Sequence, residues 1–138
     1  MPHLYPIGRE GFLDGSIDWD TNTQKITLIN IDNYKISGGS AHQYYGKSVG
    51  ITARVKESDT NALSTKTVTS GIADAGDVSL SAVSGAAFNA IIIWQDSGSP
   101  DTSRLIAYID SGTGLPASPN SGDITISWSN GASKIFQL

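Results

Sequence analysis

Apolar and polar positions alternate along much of this chain, and the strongest departure is one apolar run, Ala86-Ala87-Phe88-Asn89-Ala90-Ile91-Ile92-Ile93-Trp94. Three consecutive isoleucines are stiff at χ1 and suit a pleated strand. An unbroken apolar run covers both faces of a strand, so 86–94 is expected at the centre of a sheet. Gln24 to Ile31 also carries apolar side chains on both faces, with Ile26 and Leu28 on one and Thr27, Ile29 and Ile31 on the other, so this strand is expected to be covered on both sides. At the C-terminal end, Ile124, Ile126 and Trp128 alternate against Thr125 and Ser127. Asn130-Gly131 follows, the preferred pair for a type I′ turn, and Lys134 to Leu138 returns with Phe136 and Leu138 facing one way. The local pattern predicts a hairpin over 123–138.

Weaker alternation predicts further strands at Val49–Lys56, Thr65–Thr69, Val78–Val83 and Ser103–Ile109. Pro6 to Gly15 reads as a short helix that glycine stops. Ala41 to Gly46 reads as a helical turn carrying Tyr44 and Tyr45. Asp20-Thr21-Asn22-Thr23, Ser58–Ser64 and Asp96–Asp101 are turn chemistry. Asp32–Ser40, with Gly38-Gly39, and Asp110–Gly122 read as loops, and Ser70–Asp77 as a link with little pattern. Seven to eight strands at this spacing predict a mainly β fold: an antiparallel β-sandwich or partly closed barrel with one or two short helical turns. No βαβ alternation and no internal repeat is visible.

Composition agrees. At 138 residues and 14.5 kDa the expectation is one domain, residues 1–138. Glycine is high at 15 residues, which suits strands joined by tight turns. Charged residues are only 16 %, so Ser, Thr, Asn and Gly must carry much of the surface polarity. The net charge is −4 with scattered Lys and Arg, which argues against direct nucleic-acid binding. Cysteine is absent, removing disulfides and thiolate chemistry. No apolar run reaches the ~20 residues that cross a bilayer. The start, Met1-Pro2-His3-Leu4-Tyr5-Pro6, lacks the pattern of a signal peptide, so synthesis without Sec export is expected.

Three segments resemble functional motifs and miss a required residue. Gly46-Lys47-Ser48 matches the end of a phosphate-binding loop, but the loop's first glycine would fall at Ala41, and a strand pattern follows in place of a helix. Asp18, Asp20 and Asn22 stand at the alternate positions of a calcium loop. Thr23 then replaces the turn glycine, and Ile29 stands where the bidentate glutamate belongs. His3 and His42 have no partner at ligand spacing, and no nucleophile-elbow pattern is present. Glu10, Glu57 and the turn aspartates give no carboxylate pair beyond turn geometry. The expectation is no enzyme, no cofactor and no metal.

The aromatics have two readings. Trp94 and Trp128 lie on strand patterns that point to a core. Tyr44 and Tyr45 are adjacent on a loop, so their side chains point apart and at least one is expected at the surface. Tyr44, Tyr45, Trp19 and Tyr5 are therefore the candidate contact residues. Exposed aromatics in a row would instead favour a carbohydrate-binding face.

The stretch from Leu4-Tyr5-Pro6-Ile7-Gly8-Arg9-Glu10-Gly11-Phe12-Leu13-Asp14-Gly15 to Ser16-Ile17-Asp18-Trp19-Asp20 resembles the opening of a family of small virion proteins of tailed phages. Leu105 to Asp110, Gly114-Leu115-Pro116, Asn120 to Ile126 and Asn130 to Phe136 are similar to the same family, so the resemblance runs from near residue 4 to the end. It brings no catalytic residues. It implies a virion location after assembly in the host cytoplasm. The implied role is capsid decoration (cement), with a minor tail or connector role or a displayed carbohydrate-binding module as alternatives. The partners it implies are the major capsid protein or other virion proteins, and copies of this chain, possible as a trimer.

Overall fold

The computed structural model describes residues 3–36, 42–55 and 62–138. These contain strands β1 (His3–Leu4), β2 (Gln24–Ile29), β3 (Thr67–Thr69), β4 (Ile72–Asp74), β5 (Val78–Leu80), β6 (Ala90–Gln95), β7 (Leu105–Ile109), β8 (Ile124–Ile126) and β9 (Phe136–Gln137). Helix α1 spans Pro6–Asp14 and α2 spans Tyr45–Ser48, with 3₁₀ turns at Ile51–Ala53 and Pro100–Thr102. The fold is mainly β, as the patterning predicts. All described pairings are antiparallel: β1-β7-β6-β2 form one sheet, β3-β4-β9 a second and β5-β8 a third. None closes into a barrel, so the arrangement fits a small sandwich rather than the barrel alternative.

The second part of the apolar run, from Ala90, forms β6, an inner strand of the four-stranded sheet, and both of its faces are covered, while 86–89 precede the strand. On one side Ile26, Leu28, Ile91 and Ile93 pack with Ala73, Val78, Leu80 and Phe136 from the two smaller sheets. On the other side Ile29, Ala90, Ile92 and Trp94 pack with Tyr5, Ile7, Tyr34, Tyr45, Val49 and Ala53. Ile92 and Ile93 have no exposed surface. Each such side chain contributes about 1.5–3 kcal/mol by burial. The chain's own helices and loops thus cover the second face of the sheet.

Between β6 and β7 the register shifts: Ile93 opposes Ala107 and Trp94 opposes Leu105, leaving Ile106 as the extra residue of a bulge. The Ile106 carbonyl accepts the Tyr5 N–H at 2.9 Å, and this docks the start of α1 on the sheet. α1 begins with proline in its first turn and ends at Gly15, whose φ of 82° is left-handed, as glycine permits. A Cβ on Gly8 would stand 2.8 Å from the Leu105 carbonyl, so only glycine allows this approach of helix to strand.

Three expectations fail, each for a tertiary reason. The hairpin at Asn130-Gly131 does not form. β8 pairs with β5, and β9 pairs with β4, so the two segments belong to different sheets. Neither Asn130 nor Gly131 has the positive φ that a type I′ turn needs. That turn occurs instead at Ser70-Gly71, φ 54° and 77°, joining β3 to β4 inside a stretch that reads as a patternless link. In the described part of the strand expected at Val49–Lys56, Val49 caps α2 and Ile51–Ala53 form a 3₁₀ turn. The Arg54 guanidinium donates twice to the Val49 carbonyl, at 3.0 and 2.7 Å, and closes the segment on itself. The helical turn at 41–46 is shifted to Tyr45–Ser48. Met1-Pro2, Gly38-Gly39, Ala41, Lys56, Glu57 and the first part of the polar turn 58–64 lie outside the described residues.

Candidate docking site

Burial sorts the four contact candidates. Tyr5 is fully buried, Tyr45 and Trp19 are nearly so, and only Tyr44 is half-buried at the surface. Tyr5 and Tyr45 therefore sit in the core rather than on a face a partner can reach, whereas Trp19, though nearly buried, lines a surface groove. Tyr45 stacks on Trp94, and its hydroxyl accepts from Thr27 Oγ1 at 3.0 Å. Trp19 donates its indole N–H to the Asp74 carbonyl at 2.9 Å and packs edge-on to Phe136. Trp94 is buried as expected, whereas Trp128 is half-buried against the same core as Phe136.

Tyr5 belongs to a chain of polar aromatics. Its hydroxyl lies 2.7 Å from that of Tyr34, which lies 2.8 Å from Nδ1 of His42. His3 meets the Tyr5 ring edge-on. The two histidines thus have aromatic partners that sequence spacing did not reveal. Burial raises the Tyr5 and Tyr108 phenols above their ordinary range and pushes Tyr34 up to about 12, so the three phenols keep their protons at physiological pH. It holds the loop residue Tyr34 on the sheet.

The motif-like segments have structural explanations. Gly46 is glycine because a Cβ would clash with Pro100 and Asp101. Gly46, Lys47 and Ser48 all lie within the four-residue α2, with no phosphate-binding frame around them. Asp18 and Asn22 cap each other's turn: the Asp18 N–H donates to Asn22 Oδ1 at 2.7 Å, and the Asn22 N–H to the Asp18 carbonyl at 3.0 Å. Among the described residues no group of three or more His, Asp or Glu is placed to hold a metal ion.

The surface feature that remains is an open groove of about 350 Å³, lined chiefly by Phe12, Ile17, Trp19, Val68, Ala73 and Leu138. α1 and the turn after it form one wall, and the β3–β4 hairpin forms the other. Val68 is 55 % exposed and Leu138 58 % exposed, and both line the groove. Two exposed large apolar residues at one opening are unusual for a surface whose other aliphatics are mostly covered.

The groove runs beside a free sheet edge. β3 pairs only with β4 among the described strands, and all three of its residues are exposed. The Ala73 carbonyl accepts from the Ile135 N–H, on the β9 side. Val68 opposes Ala73, so it stands in a non-hydrogen-bonded pair and turns its own N–H and C=O to the open edge. Sequence reasoning missed this site because Thr65–Thr69 and Lys134–Leu138 read only as strands, with nothing local to say which strands meet. Ser-Gly between Thr67-Val68-Thr69 and Ile72-Ala73-Asp74 was the signal that could have found the hairpin. Neither a scan against models of known protein families nor a search of curated proteins finds a match to this chain.

Proposed function

We propose that this chain is a non-enzymatic structural protein of a tailed-phage particle, acting as a capsid decoration protein that binds the capsid lattice. The observation that carries the reading is the apolar groove of Phe12, Val68 and Leu138 beside a strand edge that is unpaired among the described residues. A decoration protein holds its place by contact area, and this opening provides apolar area and backbone donors together. The resemblance to small virion proteins supplies the biological setting, with the major capsid protein as partner. Trp19, Trp94 and Tyr45 are buried, which takes away the exposed aromatic row that a sugar-binding face would need.

Quantitative mass spectrometry of purified particles tests the assignment. Lattice decoration requires many copies per particle. A count of about a dozen or fewer, the symmetry order of a tail ring, overturns it in favour of a tail or connector role.

A further inference from the structure

We propose that the groove and the β3 edge together accept an extended segment of a partner protein, added as a strand beside β3. An apolar side chain of that segment sits between Phe12 and Val68, and a lysine or arginine of it faces Asp18. The inference rests on reading the groove as the docking face, and it names the partner's chemistry.

The backbone supplies the first half. Val68 presents an N–H and a C=O outward, and an added strand would satisfy both. Side-chain shape supplies the second. Val68, Ala73 and Phe136 are aligned across β3, β4 and β9, so they share one face of the small sheet. Phe12 packs on Phe136 with ring centroids 5.9 Å apart, and the groove beside them reaches Val68 on β3. A strand added there would direct alternate side chains into the opening.

Charge selects the occupant. Asp18 lines the groove, Asp14 precedes the lining residue Gly15, and Asp20 lies within hydrogen-bonding reach of Asp18. The last turn of α1 carries no basic residue, so the negative end of the helix adds to the same side. Lys66 donates to the Asn22 carbonyl and Gln24 Oε1 beside Asp18 and Asp20, so it offsets one of these three carboxylates. The rim is therefore net acidic and suits a cationic segment. A second copy pairing on the same edge would bring its own three carboxylates beside these, so self-pairing is disfavoured.

The test uses the full chain, ¹⁵N-labelled, titrated with the synthetic peptide Ac-KTVTLTK-NH2. Two control peptides accompany it: one with glutamate in place of both lysines, and one N-methylated at alternate amides. The expected result is saturable shifts of the Thr67, Val68 and Thr69 amides with the lysine peptide. The glutamate and N-methyl peptides should bind more weakly. The Asp18→Asn, Asp20→Asn double variant should weaken the lysine peptide by about two- to tenfold, the range of two exposed charge pairs. Both control peptides leave the protein unaltered, so the outcome does not depend on a variant folding. Equal binding of lysine and glutamate peptides, or no β3 shifts up to about 1 mM peptide, overturns the proposal. Concentration-dependent dimerisation through β3, seen by sedimentation, overturns it in favour of a second copy. Copy number in particles is read separately, so failure here is distinguishable from failure of the particle role.

Discussion

Tyr45 lies flat on Trp94, ring centroids 4.0 Å apart and planes 4° from parallel, and both side chains reach one hydroxyl, that of Thr27. The Trp94 indole N–H donates to Thr27 Oγ1 at 3.0 Å, and Thr27 donates onward to Tyr45. The Arg54 guanidinium covers the other side of Tyr45, 4.1 Å from its centroid. This is how a strand, a short helix and a 3₁₀ segment are joined on the second face of the main sheet. Thr27 is fully buried, so its hydroxyl has no water to fall back on. Thr27→Val keeps the shape and removes the acceptor of the Trp94 N–H. The expected loss is about 1–3 kcal/mol in urea unfolding, with Thr27→Ser recovering most of it.

The β3–β4 turn predicts a gain and a loss. Ser70 holds φ 54° without the freedom of glycine. Asparagine tolerates that region better, so Ser70→Asn should stabilise by a few tenths of a kcal/mol, seen as a small rise in Tm. Gly71→Ala should cost about 1 kcal/mol, because φ 77° is strained for any Cβ. If Ser70→Asn lowered Tm, the type I′ assignment would be wrong.

Gly8 opposes helix propensity to packing. Alanine is better than glycine by about 1 kcal/mol in an exposed helix interior. Here the new methyl would meet the Leu105 carbonyl at 2.8 Å and the Ile106 Cα at 2.9 Å, both backbone atoms. Packing should win, and Gly8→Ala should destabilise by about 1–3 kcal/mol. Leu13→Ala, at a 90 % exposed site of the same helix, should stay within about 0.5 kcal/mol. Thermal melts of the two variants side by side separate these effects.

The buried phenols predict the alkaline limit of stability. Tyr34 titrates near 12 in the folded chain, because burial disfavours its charged form, against an ordinary value of 10.0. Between those values the unfolded chain has released a proton that the folded chain still holds. Stability is therefore complete below pH ~10 and falls as pH rises towards ~12, by on the order of 2 kcal/mol from Tyr34 alone. Tyr5 shifts in the same direction. Unfolding free energy measured from pH 9 to pH 12 should decline. A flat profile would refute burial of the cluster.

Much of the fold was legible in the residues, and the reason is local. Ile91-Ile92-Ile93 could only be an inner strand, and the alternation of Gln24–Ile29 left both of its faces apolar. Pro6 and Gly15 bracket α1 because each restricts or frees its own φ. Steric preference and burial pattern act over a few residues, and these elements needed nothing more. The docking surface was not legible, because it depends on which strands meet. Phe12, Val68 and Leu138 come together only when β9 pairs with β4 rather than with β8. Asn130-Gly131 is a good local turn signal, but the pairings of β8 with β5 and β9 with β4 place its flanks in separate sheets, and the long-range ladders decide. Likewise Tyr5 and Tyr45 read as contact residues until the packing gave their rings and hydroxyls partners inside the chain, whereas Trp19, bonded to the Asp74 carbonyl, still lines the groove. The sequence by itself determined that the protein is a β-rich chain lacking intact phosphate-loop and calcium-loop motifs. The tertiary structure alone decided which apolar residues were left over at the surface, since that is a property of the whole packing.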